Sequence, residues 1–306
     1  MEFYTYKDMQ LSAFCMGCAQ FGQKYGIANK KNVEDDEAVE IINKAVEAGV
    51  NFFDTAADYG ESETVLGRTL SLAKKDITIA TKIKYVKGDI SKGTIGKNIR
   101  NSVESSLKKL RRDHLDVVYI HQSELFFKFP DEFLKLLVEY KRKGLIGYIG
   151  ISLDNPHEVD KALKYGELEI FQVISNALNR SFEESGKIDQ LEKRGKLVAI
   201  RSVFLQGLLL MDPDALPVFF DPIKDNLKNF YEIIAANYDS RERFFLEYVL
   251  KKNFGPVILG ISSTLQLEKN LGVFNDYFDN VKKGSRDAEI EIPKLNDKYI
   301  YPWNWS

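Results

Sequence analysis

The chain has 306 residues, 44% of them apolar and 29% charged, and 43 basic against 45 acidic side chains leave a formal net charge of −2. That is enough apolar mass for one large domain with a real core, which excludes disorder, and the near-neutral balance supplies no field to hold nucleic acid or an acidic membrane surface. No apolar run approaches the roughly 18 to 20 residues of a membrane span, the start MEFYTYKDMQ has no leader pattern, and two cysteines cannot build a disulfide framework. A small-molecule partner and a reducing, cytoplasmic setting are the expectation, and no feature specifies an oligomer.

In chain order, the alternating FYTYK at residues 3–7 predicts a short hairpin capping the floor of the domain. Short apolar runs then alternate with longer amphipathic stretches. Strands are predicted over 13–17, 50–54, 77–82, 115–121, 146–152, 170–174, 197–202 and 257–261. Helices are predicted over 37–48, 62–73, 94–111, 131–143, 156–165, 182–194, 241–253 and 264–270. Asp35 and Asp36 stand as N-cap candidates for the first helix, and Gly49, Gly144 and Gly195 stand where helices close. Strict alternation of eight pairs points to an α/β fold of the (β/α)8 TIM-barrel type, with residues 1–306 as a single domain. An open doubly wound sheet is the alternative, and the missing GxGxxG and GxxxxGK[ST] fingerprints argue against it. Residues 205–239 form a long loop after the seventh barrel strand, broken by Pro213, Pro217 and Pro222, and are expected to grip substrate. Residues 273–306 form a C-terminal tail whose Tyr301, Trp303 and Trp305 either shape the pocket or pack on the outside of the barrel.

In a barrel the functional face is the one where strands end. The second strand ends NFFDTAADYG, with Asp54 at its tip and Tyr59 five residues on, the third ends IATK with Lys82, and the fourth ends VVYIHQ with His121. Each has a plainer reading as a turn cap, a solvated lysine or a half-packed ring. Together they make chemical sense, because a phenol with an ordinary pKa of about 10 is a poor acid near neutrality unless a cation favours its phenolate. Lys82 can be that cation, Asp54 can fix and balance it, and His121 can donate a hydrogen bond to a substrate oxygen. Cys15 and Cys18 form CMGC, but the pair ends a strand and no second pair exists, so neither a redox couple nor a metal site is expected. Tyr25, Phe126 and Phe127 suggest stacking surfaces in the pocket.

At this point the sequence resembles a known family. FFDTAADYGESETVLGRTL is similar to the signature of the aldo-keto reductase superfamily, in which Asp and Tyr flank the second βα loop and Lys and His at the next two strand ends complete a tetrad. GCAQFGQKYGIAN at 17–29 resembles the first loop of one branch, with Cys18 where Thr is more usual. YIGIS at 148–152, FQVISN at 171–176, IRSVFLQGLL at 200–209 and VILGISSTLQLEKN at 257–270 resemble further family segments, so the likeness covers essentially the whole chain.

The resemblance implies hydride transfer between a nicotinamide cofactor and a carbonyl, without metal, with Tyr59 as general acid. It implies that Ser152 and Gln172 hold the carboxamide, that Arg201 replaces an aromatic stacked on the nicotinamide, and that Gly17, Cys18 and Asp54 also touch the cofactor. Backbone near Ser202, Phe204, Gln206 and Gly207 is implied to receive the pyrophosphate. Ser262, Ser263, Gln266 and Asn270 are implied to lie at the adenosine end. Two departures stand out. Leu153 replaces an expected Asn, and Gly260 and Gln266 stand where many members carry the Lys and Arg that grip the 2′-phosphate of NADP. NADP is the family default, and NAD becomes possible. The implied function is reduction of an aldehyde, ketone or sugar. The alternatives are a sugar or alcohol dehydrogenase working oxidatively, and a nucleotide-sensing subunit with little turnover, against which the intact tetrad argues.

Overall fold

The computed structural model describes residues 1–27, 33–71, 76–88, 90–282 and 290–305. Eight parallel strands close into a barrel: β3 (Phe14–Gly17), β4 (Phe52–Asp54), β5 (Thr78–Lys82), β6 (Leu115–Ile120), β7 (Ile146–Ser152), β8 (Ile170–Ile174), β9 (Leu197–Arg201) and β10 (Val257–Gly260), with β10 pairing back to β3. Each predicted strand is present, with ends shifted by at most two residues. They read as near-continuous apolar runs because both faces are covered. Along each strand, alternate side chains go to different cores. Cys15, Phe52, Ala80, Val117, Tyr119, Ile170, Ala199 and Ile258 fill the barrel interior, while Met16, Phe53, Ile79, Val118, Phe171, Val198 and Leu259 meet the surrounding helices. Gly150 makes the interior layer fit, since a Cβ there would fall 2.5 Å from the Tyr119 ring.

The N-terminal hairpin pairs β1 (Phe3–Tyr6) antiparallel with β2 (Met9–Ser12). Its Met9 and Leu11 join the interior cluster and so close the barrel floor. Below them Glu169 is held by Lys7 at 2.5 Å and by Lys141.

The helices correct several predicted details. Asp35 and Asp36 do not cap α1 (Asp35–Glu47): Glu34 occupies the cap position without a side-chain bond, and both aspartates lie in the first turn, where negative charge suits the helix N-terminus. Gly49, Gly144 and Gly195 have φ of +93°, +73° and +66°, as helix-closing glycines do. The helix predicted over 182–194 is two, α7 (Ser181–Glu184) and α8 (Lys187–Lys193), because Gly186 at φ +66° interrupts it. α2 is described over Ser62–Leu70, and the end of that prediction, at 72–73, lies outside the described residues. The last barrel helix, α11 (Thr264–Lys282), continues well past the predicted end at residue 270.

The long loop after β9 is not bare loop. Three 3-10 turns lead into α9 (Lys224–Asn237), whose Leu227, Phe230, Tyr231 and Ile234 are buried at i, i+3, i+4 and i+7. With Leu216, Phe220 and Phe244 they form a second core that Tyr299 and Ile300 of the tail complete. Trp305 packs edge-on against Phe220, centroids 5.1 Å apart, and Tyr301 stacks on Trp303. The tail therefore covers the insertion. Among the described residues, no helix is long and apolar enough to cross a membrane.

Candidate active site

A cleft of about 490 Å³ opens where the barrel strands end. Asp54 ends β4, Lys82 ends β5, and His121 follows β6 by one residue, so three neighbouring strands deliver three of the four predicted groups to its wall. Tyr59 arrives on the loop after β4. That loop is locked to the one after β3 by glycines whose backbones approach too closely for any side chain: a Cβ on Gly22 would fall 1.8 Å from the Tyr59 carbonyl oxygen, and one on Gly60 would fall 2.1 Å from that of Gly22. The Ser62 hydroxyl donates to the Cys18 carbonyl at 2.8 Å, and the Cys18 N–H to the Asp54 carbonyl at 2.8 Å.

Lys82 Nζ donates to Asp54 Oδ1 at 2.5 Å and to the Thr55 carbonyl at 2.8 Å, and lies 5.0 Å from the Tyr59 ring centroid. Gln172 Nε2 donates to the other Asp54 oxygen. The amide implied to hold a carboxamide is thus also a support for the Asp54–Lys82 pair. The Tyr59 and His121 rings stand edge to face, 6.1 Å apart. Burial, followed by the Asp54 charge, pushes the Tyr59 phenol well above its ordinary value, and Arg201 only partly opposes this. Lys82 does not draw that phenol down as its place beside Tyr59 predicts, because Asp54 at contact distance offsets the ammonium. Burial, helped by the positive charges of Lys82 and Arg201, holds His121 below its ordinary value.

Arg201, at the end of β9, donates through Nη2 to the Leu153 carbonyl at 3.0 Å and to Asp154. The following loop is strained: Ser202, Leu205 and Gln206 have φ of +64°, +48° and +54°, with Gly207 at +93°. Non-glycine residues pay on the order of 1 kcal/mol each for this, and such strain gathers at ligand clamps. Gly17, Cys18, Ser152, Gln172, Arg201, Ser202, Phe204, Gln206, Gly207, Gly260, Ser262 and Gln266 all line the cleft with the tetrad. Ser263 and Asn270 do not: the Ser263 hydroxyl accepts the Gln266 N–H at 3.2 Å at the start of α11, and Asn270 is buried behind it. Gln266 folds back, its Oε1 accepting the Ser262 N–H at 2.9 Å and the Ser262 hydroxyl at 3.0 Å.

The cleft wall fits a dinucleotide. Arg201 Nε, a donor, and Gln20 Oε1, an acceptor, are buried polar atoms of lining residues without a hydrogen-bond partner, and Gly260 has no room for a side chain, a Cβ there falling 2.1 Å from Gln20 Nε2.

The residues that line the same cleft without having been predicted include Gln20, Asp58, Tyr85 and Asp154. Asp58 had a readable signal, an acid next to Tyr59 in a loop already marked as functional, whereas Tyr85 had none. Of the predicted stacking surfaces, Tyr25 lines the cleft, but Phe126 and Phe127 do not: Phe126 is wholly buried against Phe133 and Tyr165. From the insertion at 205–239, Gln206, Gly207, Leu210 and Met211 reach the wall, and Tyr301, Trp303 and Trp305 do not. Both cysteines are buried, with thiols pushed well up by burial.

A family model described as Aldo/keto reductase family matches residues 13–282. Among curated proteins, the chain is 27% identical to L-galactose dehydrogenase of Arabidopsis thaliana over 88% of its own length and 86% of that protein. It is 29% identical to the NADH-specific methylglyoxal reductase of Escherichia coli over 66% of each. Among solved structures, aldo-keto reductase AKR11C1 from Bacillus halodurans in its holo form has the same fold, with a TM-score of 0.72 at 23% identity, over 95% of this chain and 98% of that one.

Proposed function

The chain belongs to the aldo/keto reductase family, and on that premise we propose that it reduces an aldehyde, ketone or sugar carbonyl with NADH or NADPH in the cleft at the strand ends. The observation that carries this is the meeting of Asp54, Tyr59, Lys82 and His121 at one wall with Ser152 and Gln172 beside them. A bound nicotinamide would supply the hydride for the carbonyl carbon, with Ser152, Gln172 and Arg201 against its ring end and the 202–207 backbone against its phosphates. Tyr59 is a neutral phenol in the free protein and gives its proton to the substrate oxygen as negative charge builds there. An alkoxide is far more basic than a phenolate, so the transfer runs downhill even from a raised phenol. Lys82 then favours the phenolate, Asp54 and Gln172 keep Lys82 in place, and solvent returns the proton. The reverse reaction oxidises an alcohol, the direction carried by the name of the Arabidopsis relative.

For the nucleotide, the fold of Gln266 onto Ser262 supports use of NADH. The lining residues from 258 to 266 include no cation for a 2′-phosphate, and the Ser262 N–H and hydroxyl are already engaged. The named test is turnover of a panel of aldehydes, ketones and sugars with both nucleotides, repeated in Tyr59→Phe. Turnover should fall by at least about a hundredfold while nucleotide affinity changes only a few-fold. Unchanged turnover would sink the assignment.

A further inference from the structure

The two ion pairs that line the cleft are not equally sheltered. Lys82 and Asp54 are both buried and in contact, so their opposite charges offset each other at the same depth. Arg201 and Asp154 are paired too, but their side chains are 23% and 46% exposed, so water screens the carboxylate more than the guanidinium. Arg201 Nη2 donates to Asp154 and to the Leu153 carbonyl at 3.0 Å, whereas its Nε is closed to solvent and has no partner, which leaves part of the guanidinium uncompensated. Its charge is felt across the reacting wall. Burial raises the Tyr59 and Tyr25 phenols and lowers the His121 imidazole, and Arg201 opposes the first two shifts and adds to the third. A further lining carboxylate, Asp58, follows β4, three strands round the barrel from β9, and is occupied by the Tyr85 N–H at 2.7 Å. Ser152, Gln172 and Arg201 stand on β7, β8 and β9, three neighbouring strands, so the guanidinium borders the place where those residues would hold a nicotinamide ring. That ring is neutral when reduced and carries one positive charge when oxidised. A fixed cation beside it therefore acts on one form and not the other.

We propose that the Arg201 guanidinium selects between the redox states of the nucleotide, weakening the hold on the oxidised, cationic ring relative to the reduced, neutral one, and that Asp154 sets how strongly it does so. This rests on the reading that a nicotinamide nucleotide occupies this cleft with its ring beside Arg201. The selection gives the uneven pair a use. Once a hydride has left for the carbonyl carbon, the spent nucleotide is the form Arg201 opposes, and its release is eased.

Calorimetric titration of the full chain with NADH and NAD+, and with NADPH and NADP+, gives the ratio of the oxidised to the reduced dissociation constant in whichever pair binds. The two members of a pair differ only in the redox state of the ring, so contacts of Arg201 with ribose or phosphate cancel in the ratio. Arg201→Gln removes the cation and should lower the ratio by about tenfold. Asp154→Asn keeps an oxygen for Arg201 Nη2 but removes the opposing charge, and should raise the ratio by about threefold. A merely structural role would weaken both members of a pair alike in each variant and leave the ratio where it was. A ratio that does not fall in Arg201→Gln, or does not rise in Asp154→Asn, overturns the proposal. Asp154 is nearly half exposed, so its variant alone decides the matter if Arg201→Gln does not fold. Failure of both pairs to bind the wild-type protein would overturn the proposed function and this inference with it, whereas binding with unmoved ratios counts against this inference alone.

Discussion

Replacing Lys82 with Met isolates what the buried ion pair contributes. The side chains of Lys82 and Asp54 are only 3% and 7% exposed, and their contact is 2.5 Å. At an effective dielectric of about 20, unit charges so close attract by roughly 7 kcal/mol, and each ion gave up several kcal/mol of hydration to be there. Methionine fills most of the lysine's volume but donates nothing. Asp54 then keeps only the Gln172 amide among these partners, and the Thr55 carbonyl loses its ammonium. Stranding a buried charge in this way should cost about 3–5 kcal/mol, which is roughly 6 to 10 °C in melting temperature at about 2 °C per kcal/mol for a large domain. Adding Asp54→Asn removes the stranded charge, so the double variant should recover about half of the loss. Urea unfolding followed by circular dichroism, run on both single variants and the double, closes the cycle. A double variant destabilised by the full sum of the singles would refute the coupling, and with it the role of Asp54 in holding the lysine.

At the barrel floor, burial pulls the Glu169 carboxyl up, but Lys141 and Lys7 outweigh it and hold the group below its ordinary range. Its contribution to stability is therefore present above the unfolded carboxyl's pKa of about 4.3 and lost as pH falls through the depressed folded value. The gap in urea midpoint between wild type and Glu169→Gln should be widest near neutrality, narrow as pH falls below about 4.3, and close once pH is below the depressed folded value. Gln266→Arg should tighten NADPH binding by about tenfold with little effect on NADH, read by titrating each nucleotide, because one charge-assisted bond to a phosphate is worth roughly 1.5–3 kcal/mol. Phe220→Ala should cost about 3–5 kcal/mol, seen as a lower melting temperature, since Phe220 is 1% exposed between Tyr299 and Trp305. The same second core sets the outcome of shortening the insertion: a deletion across 210–229 takes away buried Leu216, Phe220, Ile223 and Leu227, so stability should fall together with substrate affinity.

How far the sequence could be read depended on where each signal was written. The barrel strands were legible because a strand covered on both faces must be apolar throughout, and positions such as 170–174 have no other use for that pattern. Asp54, Lys82 and His121 were legible as a set because strand ends share one face whatever the loops do. α9 was readable too, from Leu227, Phe230, Tyr231 and Ile234, but three prolines just upstream pointed to irregular chain. Pro213 instead opens a 3-10 turn, and Pro222 lies in the last such turn before the helix starts at Lys224. α11 runs on past residue 270 because Asn270, although polar, is buried and Phe274 and Phe278 continue the apolar face.

What sequence period could not supply is the set of pairings that adjusts those strand-end groups. Tyr85 meets His121 only because the loop after β5 folds across the mouth, where the Asp58 carboxylate accepts its N–H. Arg201 meets Asp154 only because β7 and β9 both border β8. The consequence is chemical. In sequence the tetrad looks like one cation beside one phenol, yet in the fold both lining cations, Lys82 and Arg201, are paired with carboxylates, and the phenol stays protonated. The proton Tyr59 has to deliver is therefore held, by burial first, until charge develops on the substrate oxygen; the Lys82–Asp54 pair joins neighbouring strand ends and was legible, whereas the Arg201–Asp154 pair depends on the loop after β7, which residue spacing along the chain does not encode.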